Sequence, residues 1–214
     1  LRIPYAFLAT PWPWSHLTSP ARGGRLVSIH AYASMVALDP ARFRENDGED
    51  PARPPHYQEP VWGAEGGSVF HVLPPAHMRH IRWMGERCLA EAEQGLALAG
   101  SRNAAAVHAR DLMNGLQLLS AYYEEKVGAA TSALIHARGR RAEDRREAEE
   151  RADRALESYR RVVEFMRERL DPYFRDLVGA PMTEAGVPLE RLLELETEDR
   201  RQLPVLFRWT EEPP

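Results

Sequence analysis

The sequence predicts a mainly α-helical protein, and three observations predict it. From Pro74-Pro75 onward, apolar residues recur at steps of three and four over long stretches. The breaks between those stretches are single punctuation points, Gly100 and Gly139–Arg141, too short for anything but antiparallel neighbours. Third, eleven of the seventeen prolines fall within residues 1–75, and none falls between residues 76 and 171, so the long periodic stretches are free of this helix breaker. The expected architecture is an antiparallel bundle of three long helices with short C-terminal helices. A Pro/Trp-rich, irregular N-terminal segment with a few short strands precedes it. The division is residues 1–75 and 76–214.

In the first segment, Val27, Ile29 and Ala31 alternate with Ser28 and His30, which predicts a strand over 25–32. A second strand is expected over 68–73. Pro11-Trp12-Pro13-Trp14, Gly23-Gly24, Asn46-Asp47-Gly48 and Gly66-Gly67 mark turns, and residues 39–67 read as a long loop.

The first helix is expected over about 76–99, with a stripe of Ile81, Met84, Cys88, Ala92, Leu96 and Ala99 and Gly100 as its cap. A second, about 102–138, repeats Leu112, Leu116, Leu119, Tyr123, Val127, Ala130 and Leu134. Ala152, Leu156, Tyr159, Val163, Met166 and Leu170 form a seam of heptad type on a third, about 142–170. Asp171-Pro172 then reads as the N-cap and first turn of a short helix ending before Gly179. The last helix is expected over about 188–203, stopping at Pro204.

Composition excludes several functions. Charged residues make up 28% of the 214, yet acids outnumber bases and the net charge is −4. A nucleic-acid partner is therefore not expected, because neutralising phosphates needs a basic excess. Even the Arg-rich stretch 138–161 sets nine arginines against seven carboxylates, as a solvated helix face does. No apolar run is long enough to span a membrane. One cysteine, Cys88, rules out a disulfide framework. The chain holds one lysine, Lys126, against twenty-seven arginines, which reads as codon bias in a GC-rich genome. It opens on Leu1 without a visible signal peptide, as expected of a chain that is processed or cut from something longer.

Two sets of residues are candidates for binding. Trp12, Trp14 and Trp62 offer indole faces on which the C–H faces of sugar rings stack, and the flanking prolines preorganise them. Glu59 and Glu65 flank Trp62 and supply carboxylates of the type used on glycosidic bonds. The second set is His77, His80, Met84 and Cys88, spaced three, four and four along one helix face. Imidazole and sulfur donors so arranged suit copper or zinc, although Met84 and Cys88 also belong to the expected core stripe. His108, Asp111 and Asn114 share a face of the second helix, where hydrogen bonding between helices is expected. No catalytic residue and no cofactor is assigned.

The segments DLMNGLQLLSAYYEEKVGAA (111–130) and ALESYRRVVEFMRERLDPYF (155–174) together resemble the helical region that follows the catalytic barrel in large bacterial glycoside-hydrolase-like proteins. The matching positions are Tyr122, Tyr123, Lys126, Val127, Ala129 and Ala130, then Ala155, Leu156, Tyr159 and Arg160, within a resemblance spanning about residues 76–178. It implies a non-catalytic accessory domain of a secreted or periplasmic carbohydrate-active protein, partnered by an adjacent domain of a larger polypeptide and by a saccharide. Two other readings follow from the residues themselves: a metal-binding helical bundle built on the His/His/Met/Cys stripe, and a helical scaffold that binds a partner.

Overall fold

A computed structural model of the chain describes residues 74–178 and 189–208. Nearly all of these residues are helical, and no strand occurs among them. The strands expected over 25–32 and 68–73, the long loop, and Trp12, Trp14, Glu59, Trp62 and Glu65 lie outside the described residues.

Helix α1, Pro74–Ala99, begins with two prolines in its first turn, where a missing N–H removes no intrahelical bond. It ends at Gly100, whose φ of 83° is costless without a β-carbon. The Gly100 N–H donates to the Leu96 carbonyl at 2.9 Å. Helix α2, Ala104–Gly139, starts where the Asn103 side chain accepts the Ala106 N–H at 3.2 Å. Helix α3, Ala142–Phe165, follows after two residues. It runs through a π turn, Met166–Leu170, into α4, Asp171–Val178. Helix α5 is Leu189–Leu206.

Two boundaries differ from expectation, both at proline. Asp171 has helical dihedrals, so it does not cap a new helix. Its N–H donates to the Met166 carbonyl five residues back, and this wide turn carries the helix past Pro172 without a break. Pro204, expected as a stop, lies inside α5, which continues to Leu206. A proline in the last turn removes one hydrogen bond near an end that frays anyway.

Side-chain pairs give the packing direction. Tyr122 meets Tyr159, Gly128 meets Arg151 and Asp111 meets Arg169, so α2 and α3 run antiparallel. Arg82 reaches Glu124 while Gly85 lies against Ser120 and Gln117, so α1 and α2 also run antiparallel. Helix α5 lies across both α2 and α3: Glu196 and Asp199 meet Lys126, and Arg200 meets Asp153. Consequently α2 is the central element and is buried almost all round from Tyr122 to Ala137.

The predicted α2 seam is buried except for the half-buried Leu116. On α3 the predicted seam is buried except at Leu156. The α1 stripe is a correction: Met84 is 40% exposed, Cys88 is exposed and Ile81 is only half-buried. The face applied to α2 runs through Met78, Arg82 and Gly85, which turns Met84 and Cys88 outward.

Candidate functional site: a buried charged layer

Two apolar clusters divide the bundle core. One gathers Leu119, Tyr122, Tyr159, Val163, Met166 and Leu192; the other gathers Val127, Ala130, Leu134, Ala152, Leu203 and Phe207. Along α2 the first ends at Tyr123 and the second begins at Val127, and between them stands Lys126. Its side chain is 0% exposed.

The ammonium of Lys126 has three N–H groups and three carboxylate oxygens around it. Nζ lies 2.8 Å from Oε1 and 2.6 Å from Oε2 of Glu196, and 2.6 Å from Oδ2 of Asp199. Glu196 and Asp199 are i and i+3 on α5 and so share one face of that helix. Glu196 is 1% exposed and Asp199 13% exposed at the side chain. Tyr122, one turn before Lys126 on α2, donates its hydroxyl to Glu196 Oε2 at 2.9 Å. Its ring centroid lies 5.6 Å from Nζ and 4.8 Å from the rings of both Tyr123 and Tyr159. Those three rings wall the layer on the side of the first apolar cluster.

Electrostatics follow from burial. Loss of water pushes the Glu196 carboxyl above the usual carboxylate range, although Lys126 and the Tyr122 hydroxyl pull the other way. Burial, then the neighbouring Glu196 charge, pushes the Tyr122 phenol well above its ordinary value, so it acts as a hydrogen-bond donor and not a phenolate. A buried lysine is a candidate nucleophile only when its nitrogen is accessible and uncharged. Here Nζ is fully buried against two carboxylates of α5, so the arrangement fastens α2 to α5.

The lone lysine therefore has a structural reason. A compact ammonium fits between two carboxylates on a tightly packed helix pair, where a planar guanidinium needs more room. Sequence reasoning passed over Glu196 and Asp199. The signal was present: Leu192, Glu196, Asp199, Leu203 and Leu206 recur at steps of four and three, so two acids stand within an apolar stripe.

The other candidates fall apart from this layer. His80 is half-buried and stacks on Trp83 with centroids 5.8 Å apart. Met84 and Cys88 face outward, and the His77 side chain lies outside the described residues. Among the described residues, no group of three or more His, Cys, Asp or Glu side chains is placed to hold a metal ion. Asp111 does link helices as expected, accepting from Arg169 on the π turn at 3.2 Å and pairing with Arg110 at 2.7 Å. Burial lowers the His108 pKa, opposed by Asp111. In the Arg-rich stretch, Arg151 donates to Glu147 at 3.1 Å as the i,i+4 spacing predicts, whereas Arg154 crosses to Glu125 on α2. An open cleft of about 440 Å³ between α3 and α5 is lined by charges of both signs, including Arg160, Glu164, Arg167 and Glu198. No described helix is long and apolar enough to cross a membrane.

The positions that carry the resemblance to glycoside-hydrolase-like proteins are mostly interior ones: Tyr122, Lys126, Ala129, Ala130, Ala155 and Tyr159 are all fully buried. No protein-family model, no curated protein and no solved structure matches the chain.

Proposed function

We propose that the helical region is a non-catalytic accessory module of a larger carbohydrate-active, glycoside-hydrolase-like protein. In this reading it is a rigid support that presents the Trp/Pro-rich segment 1–75 to an adjacent domain and to a saccharide. The observation that supports a supporting role is the closure of the Lys126 layer. The buried ammonium of Lys126 is held by Glu196 and Asp199, with no exposed surface of its own. A helix fixed at its centre by such a layer resists sliding and rotation against its neighbours, which is what orienting a neighbouring site requires. The saccharide class rests on the resemblance and on the indole faces of Trp12, Trp14 and Trp62.

The test uses the full chain with a panel of soluble glycans and chromogenic glycosides. Tryptophan fluorescence is expected to shift with at least one glycan, to lose that response in the triple variant W12A/W14A/W62A, and to be accompanied by no product release. Release of product overturns the non-catalytic reading. A flat fluorescence response across the panel overturns the saccharide one.

A further inference from the structure

We propose that the Lys126 layer is a proton-dependent fastening for α5: it holds that helix tightest when it has taken up one proton, and loosens when the proton leaves. The geometry carries the argument. One ammonium is divided between two carboxylates, since Nζ sits as close to Asp199 Oδ2 as to Glu196 Oε2. Glu196 is the deeper of the two, and among the described residues it bonds Lys126 and Tyr122, so it faces a shared positive charge and a neutral hydroxyl. An ionised carboxylate that has lost its water needs a full counter-charge to break even. Half a share of Lys126 does not supply one.

Among the described residues, the titratable groups packed around it come from three helices. From α2 come Tyr122, Tyr123 and Lys126; from α3 comes Tyr159; from α5 come Glu196 and Asp199. Arg200, on the same helix, pairs with Asp153 at 2.8 Å, and Arg82 on α1 pairs with Glu124 at 2.7 Å. A proton on Glu196 leaves Lys126 to Asp199 and keeps the Tyr122 hydroxyl as a neighbour.

The sign of the pH effect follows. Burial raises the Glu196 carboxyl above its ordinary range in the folded protein. A group raised on folding stabilises fully below its unfolded value, and that stabilisation is lost as pH rises through the folded one. Thus α5 tightens on mild acidification, the reverse of an ordinary acid-labile salt bridge.

Hydrogen–deuterium exchange of the full chain between about pH 5 and about pH 8, corrected for intrinsic rates, reads this directly. One linked proton changes the α5 opening equilibrium by up to about tenfold per pH unit within the window. Protection of the α5 amides is expected to fall with rising pH in the native chain. The slope is expected to vanish in Glu196→Gln, which mimics the protonated acid. Asp199→Asn removes the carboxylate that competes with Glu196 for Lys126, so the fall is expected to shift to lower pH. Carbon-13 titration of the Glu196 carboxyl is the second measurement and needs no variant; its midpoint is expected above those of the exposed glutamates. Protection that is flat or rises with pH, an undiminished slope in Glu196→Gln, or a carboxyl midpoint within or below the range of exposed glutamates overturns the proposal.

Discussion

Gly128 lies directly beneath Arg151. A β-carbon at Gly128 stands 2.7 Å from Arg151 Nη1 and 2.9 Å from its Cδ, closer than real β-carbons come. The small residue lets α2 and α3 approach while Arg151 passes over the gap to Glu125 and Glu147. Gly128→Ala therefore sets two effects against each other. Helix propensity gains about 1 kcal/mol, while the displaced arginine loses two partly exposed ion pairs worth a few tenths each and some packing. The single variant is expected within about 0.5 kcal/mol of the parent. In an Arg151→Ala background the clash is gone, and Gly128→Ala is expected to stabilise by about 1 kcal/mol. Urea denaturation of the four proteins checks this; equal effects in both backgrounds would show that Arg151 does not occupy the space.

Removing Lys126 alone leaves the buried Glu196 carboxylate without that counter-charge and beside Asp199. Lys126→Met is expected to cost about 3–5 kcal/mol at neutral pH, as breaking a buried pair from one side does. The cost is expected to shrink at acid pH, because Glu196 is already inclined to hold a proton. Replacing the layer together, as Lys126→Met, Glu196→Met and Tyr122→Phe, leaves no buried unpaired donor or acceptor from those three residues and is expected to recover most of the loss. Asp199 reaches solvent and tolerates the change. Denaturant midpoints at two pH values test it. A triple variant as unstable as the single one would mean that shape, not charge, fixes this layer.

Much of the fold was legible because it rests on apolar periodicity. The seam from Leu112 to Leu134 and the seam from Ala152 to Leu170 are where they were expected, since three- and four-residue spacing specifies one face of a helix whatever it packs on. The prolines misled at Pro172 and Pro204. A rule about helix interiors cannot anticipate a π turn, which the burial of both Met166 and Leu170 accompanies. The α1 stripe misled differently. Met84 and Cys88 lie on a possible apolar face, and the choice between adjacent faces was made by Gly85 against Ser120, a contact between distant parts of the chain. The charged layer was the least legible, because a buried ion pair looks like surface residues until both partners are seen inside apolar stripes.

The outward turn of α1 has a chemical consequence. Cys88 is exposed, so its thiol is expected to react with a maleimide in the native protein within about tenfold of its rate in denaturant. A thiol on a core stripe would be protected by the whole opening free energy. Cys88→Ser is correspondingly expected to change stability by less than about 0.5 kcal/mol. Native labelling slower by several orders of magnitude would restore Cys88 to a packed face.

Arg140 is the one non-glycine residue with positive φ among those described, at 54°. It closes α2 by donating its N–H to the His136 carbonyl, a task that usually falls to glycine, and Gly139 stands just before it as the last helical residue. The arginine contributes something glycine cannot: Nη1 donates to the Phe207 carbonyl at 3.0 Å, holding the far end of α5. His136 meets the Phe207 ring edge-on and Arg145 lies over it at 5.2 Å, so the same residue is gripped on three sides. Two substitutions separate the strain from the bond. Arg140→Ala keeps a β-carbon in the left-handed region and loses the bond, whereas Arg140→Gly loses the bond and relieves the strain. Glycine is expected to be more stable than alanine here by about 1 kcal/mol. It is expected to lie near the parent, because relief of strain and loss of a part-buried hydrogen bond are each about 1 kcal/mol. Guanidinium denaturation gives both differences, and alanine equal to glycine would mean that the turn relaxes out of the left-handed region once the guanidinium lets go of Phe207.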